Sequence, residues 1–268
     1  MPRLAFGIAY DGADWLGWQT QPSRRSVQDV VEAAMSQFAA QSVDTVCAGR
    51  TDARVHALEQ VVHADISANR RLESWVKGVN ALLPPSIAIQ WVREVPERFH
   101  ARYAAQARTY VYLLRNSPTR SPLLKGKAGW VYHPLDLDRM RAAARPLCGR
   151  HDFTSFRSSE CQAPNPVRTL HALEIEQRAP FFMFRFTADG FLHHMVRNLM
   201  GALIWAGQGK LDAETMHFML AARDRTLAPP TFAPEGLYLA QVHYPEDFEL
   251  PVSSPRDALV SHLGFSLF

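Results

Sequence analysis

Residues 47–57 read CAGRTDARVHA, a run of small and apolar residues that holds one carboxylate, Asp52, between two arginines. Apolar stretches at residues 43–48 and 59–65 predict a strand on each side of it. An ordinary surface turn has little need of this arrangement. The stretch therefore predicts a short loop, mounted between two strands, that presents Asp52 to another molecule.

Asp52 also has a plainer interpretation, because an aspartate in a turn often does no more than accept hydrogen bonds from neighbouring backbone N–H groups. Three features favour a chemical role. The loop lacks bulky side chains, so another molecule can approach it closely. A strand end is a rigid support for a reactive group. A nearby guanidinium would keep the carboxylate ionised, as a nucleophile requires.

Length and composition predict a globular protein with a substantial core. The chain has 268 residues, of which 47% are hydrophobic, enough for one large domain or two modest ones. No apolar run approaches the roughly 18 residues of a membrane helix, and the N-terminus lacks a signal-peptide pattern. Three widely spaced cysteines argue against a disulfide scaffold. We therefore expect a cytoplasmic protein without a membrane partner.

Positive charge is concentrated in one segment. Only four of the 29 basic residues are lysines, and residues 98–135 contain no aspartate or glutamate. A solvated basic face from a GC-rich genome would explain the preference for arginine, but not the missing acids. Arginine matches phosphates and aromatic rings stack on unpaired bases, so the segment predicts contact with nucleic acid. It carries Arg98, Arg102, Arg108, Arg115, Arg120, Lys125 and Lys127, interleaved with Tyr103, Tyr110, Tyr112 and Tyr132.

Hydrophobic periodicity predicts an α+β chain in two halves, 1–103 and 104–245, followed by a tail at 246–268 that has no clear pattern. Strands are predicted at 3–10, 43–48, 59–65, 86–93, 107–115, 167–178, 181–188 and 237–243. Helices are predicted after an N-cap at Ser26, and at 71–82, 136–147, 190–206 and 212–222.

Familiar cofactor and metal motifs are absent from the sequence. It has no phosphate-binding glycine loop, no zinc-ligand spacing and no G-x-S-x-G nucleophile elbow. His193 and His194 are the nearest candidate metal ligands, but adjacent residues of a helix point about 100° apart. A phosphatase would usually need a second carboxylate near Asp52. We therefore expect neither a metal nor a cofactor.

Two further positions stand out from their surroundings. Alternation along the predicted strand 107–115 places Arg108, Tyr110 and Tyr112 on one face, which suits a stacking platform better than a dry core. Arg197 lies in an apolar helix, where the alternatives are a surface arginine, a buried ion pair or a partner for Asp52. Helical spacing would put it in one stripe with His193 and Gly201.

Several motifs of this sequence, Asp52 and its neighbours among them, resemble those of the tRNA pseudouridine synthase A family. The resemblance runs from about residue 3 to residue 245. Gly49–Ala57 is similar to the catalytic motif of that family. Further ordered matches are Gly17-Trp18-Gln19, Phe99-His100-Ala101-Arg102-Tyr103, Arg108-Thr109-Tyr110, His151-Asp152-Phe153, Phe156-Arg157, Cys161-Gln162, Met195-Val196-Arg197-Asn198 and Glu235-Gly236-Leu237-Tyr238-Leu239.

The resemblance implies an activity and an architecture. It implies a cofactor-free homodimer that isomerises uridine to pseudouridine at positions 38, 39 and 40 of the tRNA anticodon stem-loop. It also implies two similar α/β-sandwich-like halves, with mainly antiparallel sheets, around a basic RNA-binding cleft. Residues 1–103 would carry the catalytic loop, and residues 104–245 would complete the cleft that binds the anticodon arm and the tRNA body.

The resemblance also implies roles for single residues. Asp52 corresponds to the catalytic nucleophile and Arg197 to the arginine that pairs with it. Tyr110 would pack on the target base and Leu237 would lie beneath it, while Arg50 would hold the flipped-out nucleotide. Two stretches correspond to tRNA-contacting segments: Phe99, His100, Ala101, Arg102 and Tyr103, and Glu160, Cys161, Gln162, Ala163 and Pro164.

One position departs from the family pattern, which usually has glycine where this chain has Arg54. A left-handed backbone there would cost an arginine about 1 kcal/mol or more. A strained active-site loop would be poorly tolerated, so we expect an ordinary backbone conformation and an added phosphate contact from Arg54.

The sequence leaves the chemical route open, because Asp52 could attack C1′ of the ribose, attack C6 of the base, or assist glycosidic cleavage. Two other functions remain as alternatives. One is a tRNA-binding protein that has lost its chemistry, which only Arg54 favours. The other is a carboxylate-nucleophile hydrolase, which lacks its expected second acid.

Overall fold

The structure, a computed structural model, describes residues 1–252 together with residues 254, 255 and 259. The rest of the predicted tail at 246–268 lies outside the described residues. The chain divides into two compact units. Unit 1 comprises Met1–Gln106 and the described chain from Tyr238 onward, and unit 2 comprises Ala107–Leu237.

Strands and helices alternate along the chain. The strands are β1 Arg3–Tyr10, β2 Val46–Cys47, β3 His56–Asp65, β4 Ile87–Val95, β5 Ala107–Asn116, β6 Gly129–Val131, β7 Gly149–Asp152, β8 Val167–Arg178, β9 Phe181–Ala188 and β10 Leu237–His243. The α-helices are α1 Val27–Ala39, α2 Leu72–Asn80, α3 Leu137–Ala144, α4 Met195–Gly207 and α5 Ala213–Ala222.

Unit 1 is a mainly antiparallel sheet with two helices. The strand order is β4-β1-β3-β10, with β2 attached to β3. β1 is antiparallel to both neighbours, and β10 runs parallel to β3. Because β1 is flanked on both edges, seven of its eight residues are buried. The rings of Phe6 and Phe38 pack edge-on against Trp75 of α2, which joins the helices to the sheet.

Unit 2 is built in the same way from a sheet and three helices. Its strand order is β5-β9-β8-β7, all antiparallel, and β6 adds to β5 as a short parallel strand. The Asp136 N–H donates to the Gly207 carbonyl (2.9 Å), which joins the start of α3 to the end of α4. Aromatic side chains of β9, among them Phe184 and Phe186, are fully buried in the core.

The α+β class with mainly antiparallel sheets is confirmed, and most predicted elements are present. The N-cap at Ser26 is confirmed, because its side chain accepts the Asp29 N–H in a capping box. The predicted strand at 43–48 is reduced to β2, since only Val46 and Cys47 pair with β3. β10, which we placed in the C-terminal half, pairs with β3 of unit 1.

The predicted helix at 190–206 is wrong over its first turn. α4 begins at Met195, after His194 in a left-handed conformation with φ 61°. The His193 carbonyl accepts the Ser158 N–H (2.9 Å), and this bond to a distant loop replaces a helical one. His193 therefore belongs to no helical stripe with Arg197. We also expected the side chains of His193 and His194 to point about 100° apart. Their ring centroids instead lie 3.9 Å apart.

Within the described part of the chain, no helix combines the length and the apolar character that crossing a lipid bilayer requires.

Candidate active site

The loop that carries Asp52 is fixed to the body of unit 1 just before the carboxylate. The buried Thr51 shares a hydrogen bond with the Tyr10 hydroxyl (2.7 Å), and its carbonyl accepts the Trp18 N–H (3.1 Å). The side-chain amide of Gln60 on β3 donates to the Gly49 carbonyl (2.6 Å). Side chains from two strands therefore set the position of the backbone that enters the Asp52 turn.

The Asp52 turn is a four-residue β-turn with an unusual third residue. The Val55 N–H donates to the Asp52 carbonyl (3.1 Å), and Arg54 has φ 67°. A positive φ at the third position is characteristic of a type II turn, which favours glycine there. Our expectation of an ordinary backbone at Arg54 is wrong, because the turn imposes the left-handed conformation on whichever residue occupies it.

The turn lies directly against the backbone at Gly17. Gly17 has φ 92°, and a Cβ there would lie 2.7 Å from the Thr51 carbonyl oxygen and 3.1 Å from the Ala53 nitrogen. Atoms cannot pack that closely, so only glycine allows this approach. The Arg54 N–H donates to the Trp15 carbonyl (3.1 Å) and closes the same contact. Asp52 is half-buried on this support, whereas Arg50 and Arg54 are exposed.

Tyr110 and Tyr112 of β5 have different environments, so the stacking platform predicted for both is wrong. Tyr112 is fully buried, and the single proton of its hydroxyl is shared between the Ala233 carbonyl (3.0 Å) and the Glu235 carbonyl. It is a core residue with a satisfied hydroxyl. Tyr110 is 8% exposed, and Phe191 packs edge-on against its ring at 5.0 Å between centroids. Phe191 holds this ring in place, and Tyr110 remains the candidate for contact with a base.

Arg197 is half-buried on the first turn of α4, and Leu237 is buried at the start of β10. The Arg197 Nε–H donates to the Phe232 carbonyl (2.9 Å), and the Phe232 N–H returns a bond to the Arg197 carbonyl (3.0 Å). Gly201, one turn later, permits this close packing, because a Cβ there would lie 2.3 Å from the Pro230 oxygen. The Arg197 guanidinium is therefore held through its Nε atom.

The stretch Phe99–Tyr103 divides into core and surface positions. Phe99 and Ala101 are fully buried, so their side chains belong to the core of unit 1 and cannot make the RNA contacts predicted for them. Arg102 is exposed, and Tyr103 is 77% exposed. The half-buried His100 ring stacks on Tyr103 at 4.3 Å between centroids. The candidate RNA contacts in this stretch are therefore His100, Arg102 and Tyr103.

Side chains from β1 and β3 hold the backbone of this same stretch. Arg3 pairs with Asp65 through two bonds of 2.8 Å, and its Nη1 donates to the Glu97 carbonyl (2.6 Å) and the Phe99 carbonyl (2.8 Å). His63 Nδ1 accepts the Ala101 N–H (3.1 Å). Sequence reasoning missed Arg3 and His63, because nothing local connects β1 and β3 to a segment 36 or more residues away.

Neutral imidazoles are essential to this arrangement. His100 Nδ1 accepts the N–H groups of Arg102 and Tyr103 (3.2 Å each), so a proton on that nitrogen would abolish both bonds. Burial, reinforced by the charges of Arg3 and His100, lowers the pKa of His63 to about 4. Burial and Arg3 likewise lower the pKa of His100. Near neutral pH both rings accept hydrogen bonds from the backbone.

The second predicted RNA-contacting stretch, 160–164, is a surface loop of unit 2. Glu160, Gln162 and Pro164 are exposed, and Cys161 and Ala163 are half-buried. Ser158 holds the start of the loop, because its Oγ accepts the Glu160 N–H (3.2 Å) and its carbonyl accepts the Cys161 N–H (3.1 Å). The loop is accessible along its length.

The predicted site residues are divided between the units. Unit 1 carries Asp52, Arg50 and the stretch 99–103, and unit 2 carries Tyr110, Arg197, Leu237 and the stretch 160–164. Tyr110, Arg197 and Leu237 lie on strands or a helix, whereas Asp52 lies on a β-turn and the stretches 99–103 and 160–164 lie in connections between elements.

Comparisons with known proteins agree along most of the chain. A family model described as tRNA pseudouridine synthase matches residues 8–104 and 143–245. The chain is 57% identical to a tRNA pseudouridine synthase A of Bordetella petrii over 268 residues, covering 99% of this chain and 100% of that protein. It is 53% identical to a protein of the same name from Burkholderia mallei, covering 94% of this chain and 93% of that one.

A solved structure of an archaeal box H/ACA sRNP Nop10-Cbf5 complex aligns with 97% of this chain and 56% of its own chain, at 14% identity and a TM-score of 0.39.

The left-handed conformation of Arg54 predicts a stabilising substitution. Arg54→Gly should raise the free energy of unfolding by about 0.5–1 kcal/mol, because the relief of left-handed strain exceeds the added entropy of the unfolded chain. Urea unfolding measures the change. Arg54→Ala is the matched control, since it removes the side chain but keeps the Cβ. Equal stability of the glycine and alanine variants would contradict the assigned strain.

The buried His63 predicts a pH-dependent stability. Its folded pKa of about 4 lies below the ordinary 6.5, so its contribution is complete above pH 6.5 and is lost as the pH falls towards 4. Between pH 7.5 and pH 5 the loss should be about 2 kcal/mol. Urea unfolding at the two pH values should show a smaller loss in His63→Gln, which keeps an acceptor but does not titrate. An identical loss in the variant would refute the assignment to His63.

Proposed function

This chain belongs to the tRNA pseudouridine synthase family, and we propose that it isomerises uridine to pseudouridine at positions 38, 39 and 40 of the tRNA anticodon stem-loop, with Asp52 as the nucleophile. The observation that carries the proposal is the support of Asp52. A half-buried carboxylate lies on a β-turn that is fixed by Thr51 and packed against Gly17. A rigid support keeps a reactive group near its attacking geometry.

The reaction needs a carboxylate, a confined base and no redox step. The C1′–N1 bond breaks, the detached base turns and a C1′–C5 bond forms. The hydrogen on C5 leaves as a proton and N1 takes up a proton, so the product is an isomer of the substrate. Asp52 acts by attack at C1′, by attack at C6 of the base, or by assisting glycosidic cleavage. In each route the carboxylate must be ionised and must reach a base that has left the stack.

Unit 2 supplies the surfaces that would confine the base. We assign Tyr110 to packing on the base and Leu237 to the apolar surface beneath it. Phe191 holds the Tyr110 ring, so the ring costs little ordering entropy when a base binds. Confinement between an aromatic ring and an apolar side chain would keep the detached base near C1′ while it turns.

Arg197 is proposed to pair with Asp52 and to keep the carboxylate charged and oriented. Its bond to the Phe232 carbonyl fixes the guanidinium plane, and a fixed plane favours the fork geometry in which arginine binds carboxylates. Arg50, which is exposed, is proposed to hold the backbone of the flipped-out nucleotide.

Further tRNA contacts are proposed at the surface positions of the two predicted stretches. In unit 1 these are His100, Arg102 and Tyr103, where the Arg102 guanidinium lies 5.6 Å from the Tyr103 ring centroid. In unit 2 they are the residues of the loop 160–164. Arginine and stacked aromatic rings together suit the backbone and unpaired bases of an anticodon arm. We further propose that the enzyme works as a cytoplasmic homodimer.

The role of Asp52 predicts the effect of one substitution. Asp52→Asn keeps the size of the side chain but removes the charge, so tritium release from tRNA labelled at uridine C5 should fall by more than about 10⁴-fold, as when a member of a nucleophilic catalytic set is removed. Affinity for tRNA should be retained. Asp44 is an exposed carboxylate just before β2, so Asp44→Asn is the matched control. This variant should release tritium at the normal rate.

Two outcomes would contradict the proposal. Tritium release that persists in Asp52→Asn would exclude this carboxylate as the nucleophile. Tight tRNA binding without release by the intact protein would favour a binding protein that has lost its chemistry. Mapping pseudouridines in tRNA treated with the intact protein tests the positions, and products outside 38, 39 and 40 would refute the assigned specificity.

A further inference from the structure

Unit 2 contains a cavity that involves none of the candidate active-site residues and none of the stretches 99–103 and 160–164, although three cations of the basic segment 98–135 line it. Its volume is about 450 Å³, within the range of ligand-binding pockets. It opens beside β5 and β6 and is formed mostly by the connection between them. The lining residues are Arg115, Arg120, Ser121, Pro122, Leu124, Lys125, Ala128, Gly129 and Trp130.

The cavity concentrates positive charge without a compensating acid. Arg115, Arg120 and Lys125 line it, and residues 98–135 contain no aspartate or glutamate. Among residues 1–252, no carboxylate forms an ion pair with any of the three cations. Cations gathered in a concave site reinforce one another's potential, so this cavity attracts an anion.

One wall of the cavity is an aromatic ring in a fixed position. Trp130 is 42% exposed, and its Nε1–H donates to the Ser117 carbonyl (2.9 Å). Arg115 and Trp130 are directly paired in the ladder between β5 and β6, so their side chains lie on one face of the sheet. Arg115 is held in turn, because its Nη1 donates to the Thr119 carbonyl.

The combination of groups identifies the class of ligand. Arginine and lysine match a phosphate, and an indole face suits stacking of a nucleobase. The remaining wall, with Pro122, Leu124 and Ala128, is apolar and can cover a base or a ribose. A simple inorganic anion would leave the ring and the apolar wall without a partner.

We propose that this cavity binds an unpaired nucleotide of the bound tRNA, other than the uridine being isomerised. The phosphate lies against Arg115, Arg120 and Lys125, and the base stacks on Trp130. The proposal rests on tRNA as the substrate, and it adds a second anchoring point that contributes to affinity and not to the chemistry at Asp52.

Binding of an unmodified tRNA transcript, measured by filter retention across a range of salt concentrations, tests the cavity. Lys125→Glu should weaken binding and make the negative slope of the log association constant against log salt shallower by about 1, because one phosphate contact is lost. Trp130→Ala should raise Kd roughly 5- to 150-fold, while Trp130→Phe, which keeps a stacking face, should retain most of the affinity.

Unit 2 offers a matched control pair. Lys210 lies 5.7 Å from the ring centroid of Trp205, which is 39% exposed, and neither residue lines the cavity. Lys210→Glu and Trp205→Ala should leave the Kd and the salt slope near those of the intact protein. Thermal unfolding of each variant verifies that it is folded.

The proposal is overturned if Lys125→Glu and Trp130→Ala change binding no more than their controls do, or if Trp130→Phe loses as much affinity as Trp130→Ala. Binding is measured without isomerisation. Unchanged affinity in the cavity variants would therefore count against the cavity alone. A failure of the proposed reaction would instead appear as tRNA binding without tritium release.

Discussion

The close backbone contact between Gly17 and the Asp52 turn is the constraint on which the candidate site depends. The turn has no room for a Cβ at Gly17, and it requires a left-handed residue at position 54. Both requirements have one physical origin, which is a short connection folded tightly against the N-terminal segment. A reactive carboxylate gains a defined position from this packing. The left-handed Arg54 shows that the fold tolerates local strain to obtain it.

The same principle recurs where the protein is proposed to meet RNA. The stretch 99–103 exposes Arg102 and Tyr103, while Arg3, His63 and His100 hold its backbone from beneath. A flexible basic loop would lose entropy when it bound tRNA, and a preorganised one loses less. Because the supporting imidazoles act as acceptors, this preorganisation depends on both rings being neutral, and acid should weaken it.

Sequence reasoning succeeded where the signal is local and failed where it depends on distant contacts. The long strands β5, β8 and β9 and the capped helix α1 follow from alternation and capping chemistry. Four features do not. Tyr112 became a core residue because its hydroxyl finds carbonyls at 233 and 235. The first turn of the helix at 190–206 was lost to a bond between residues 158 and 193. Arg3 and His63 support a segment far away in the chain, and the conformation of Arg54 follows from a type II turn that was not predicted.

The most direct test of this account is the single-turnover rate of tritium release by Gly17→Ala at saturating tRNA. A Cβ at Gly17 must displace the Asp52 turn, so the account predicts a rate lower by about 10²-fold with little change in tRNA affinity. Gly209→Ala, which imposes similar strain at φ 74° in unit 2, controls for strain alone. A folded Gly17→Ala protein that reacts at the rate of the intact enzyme would contradict the account.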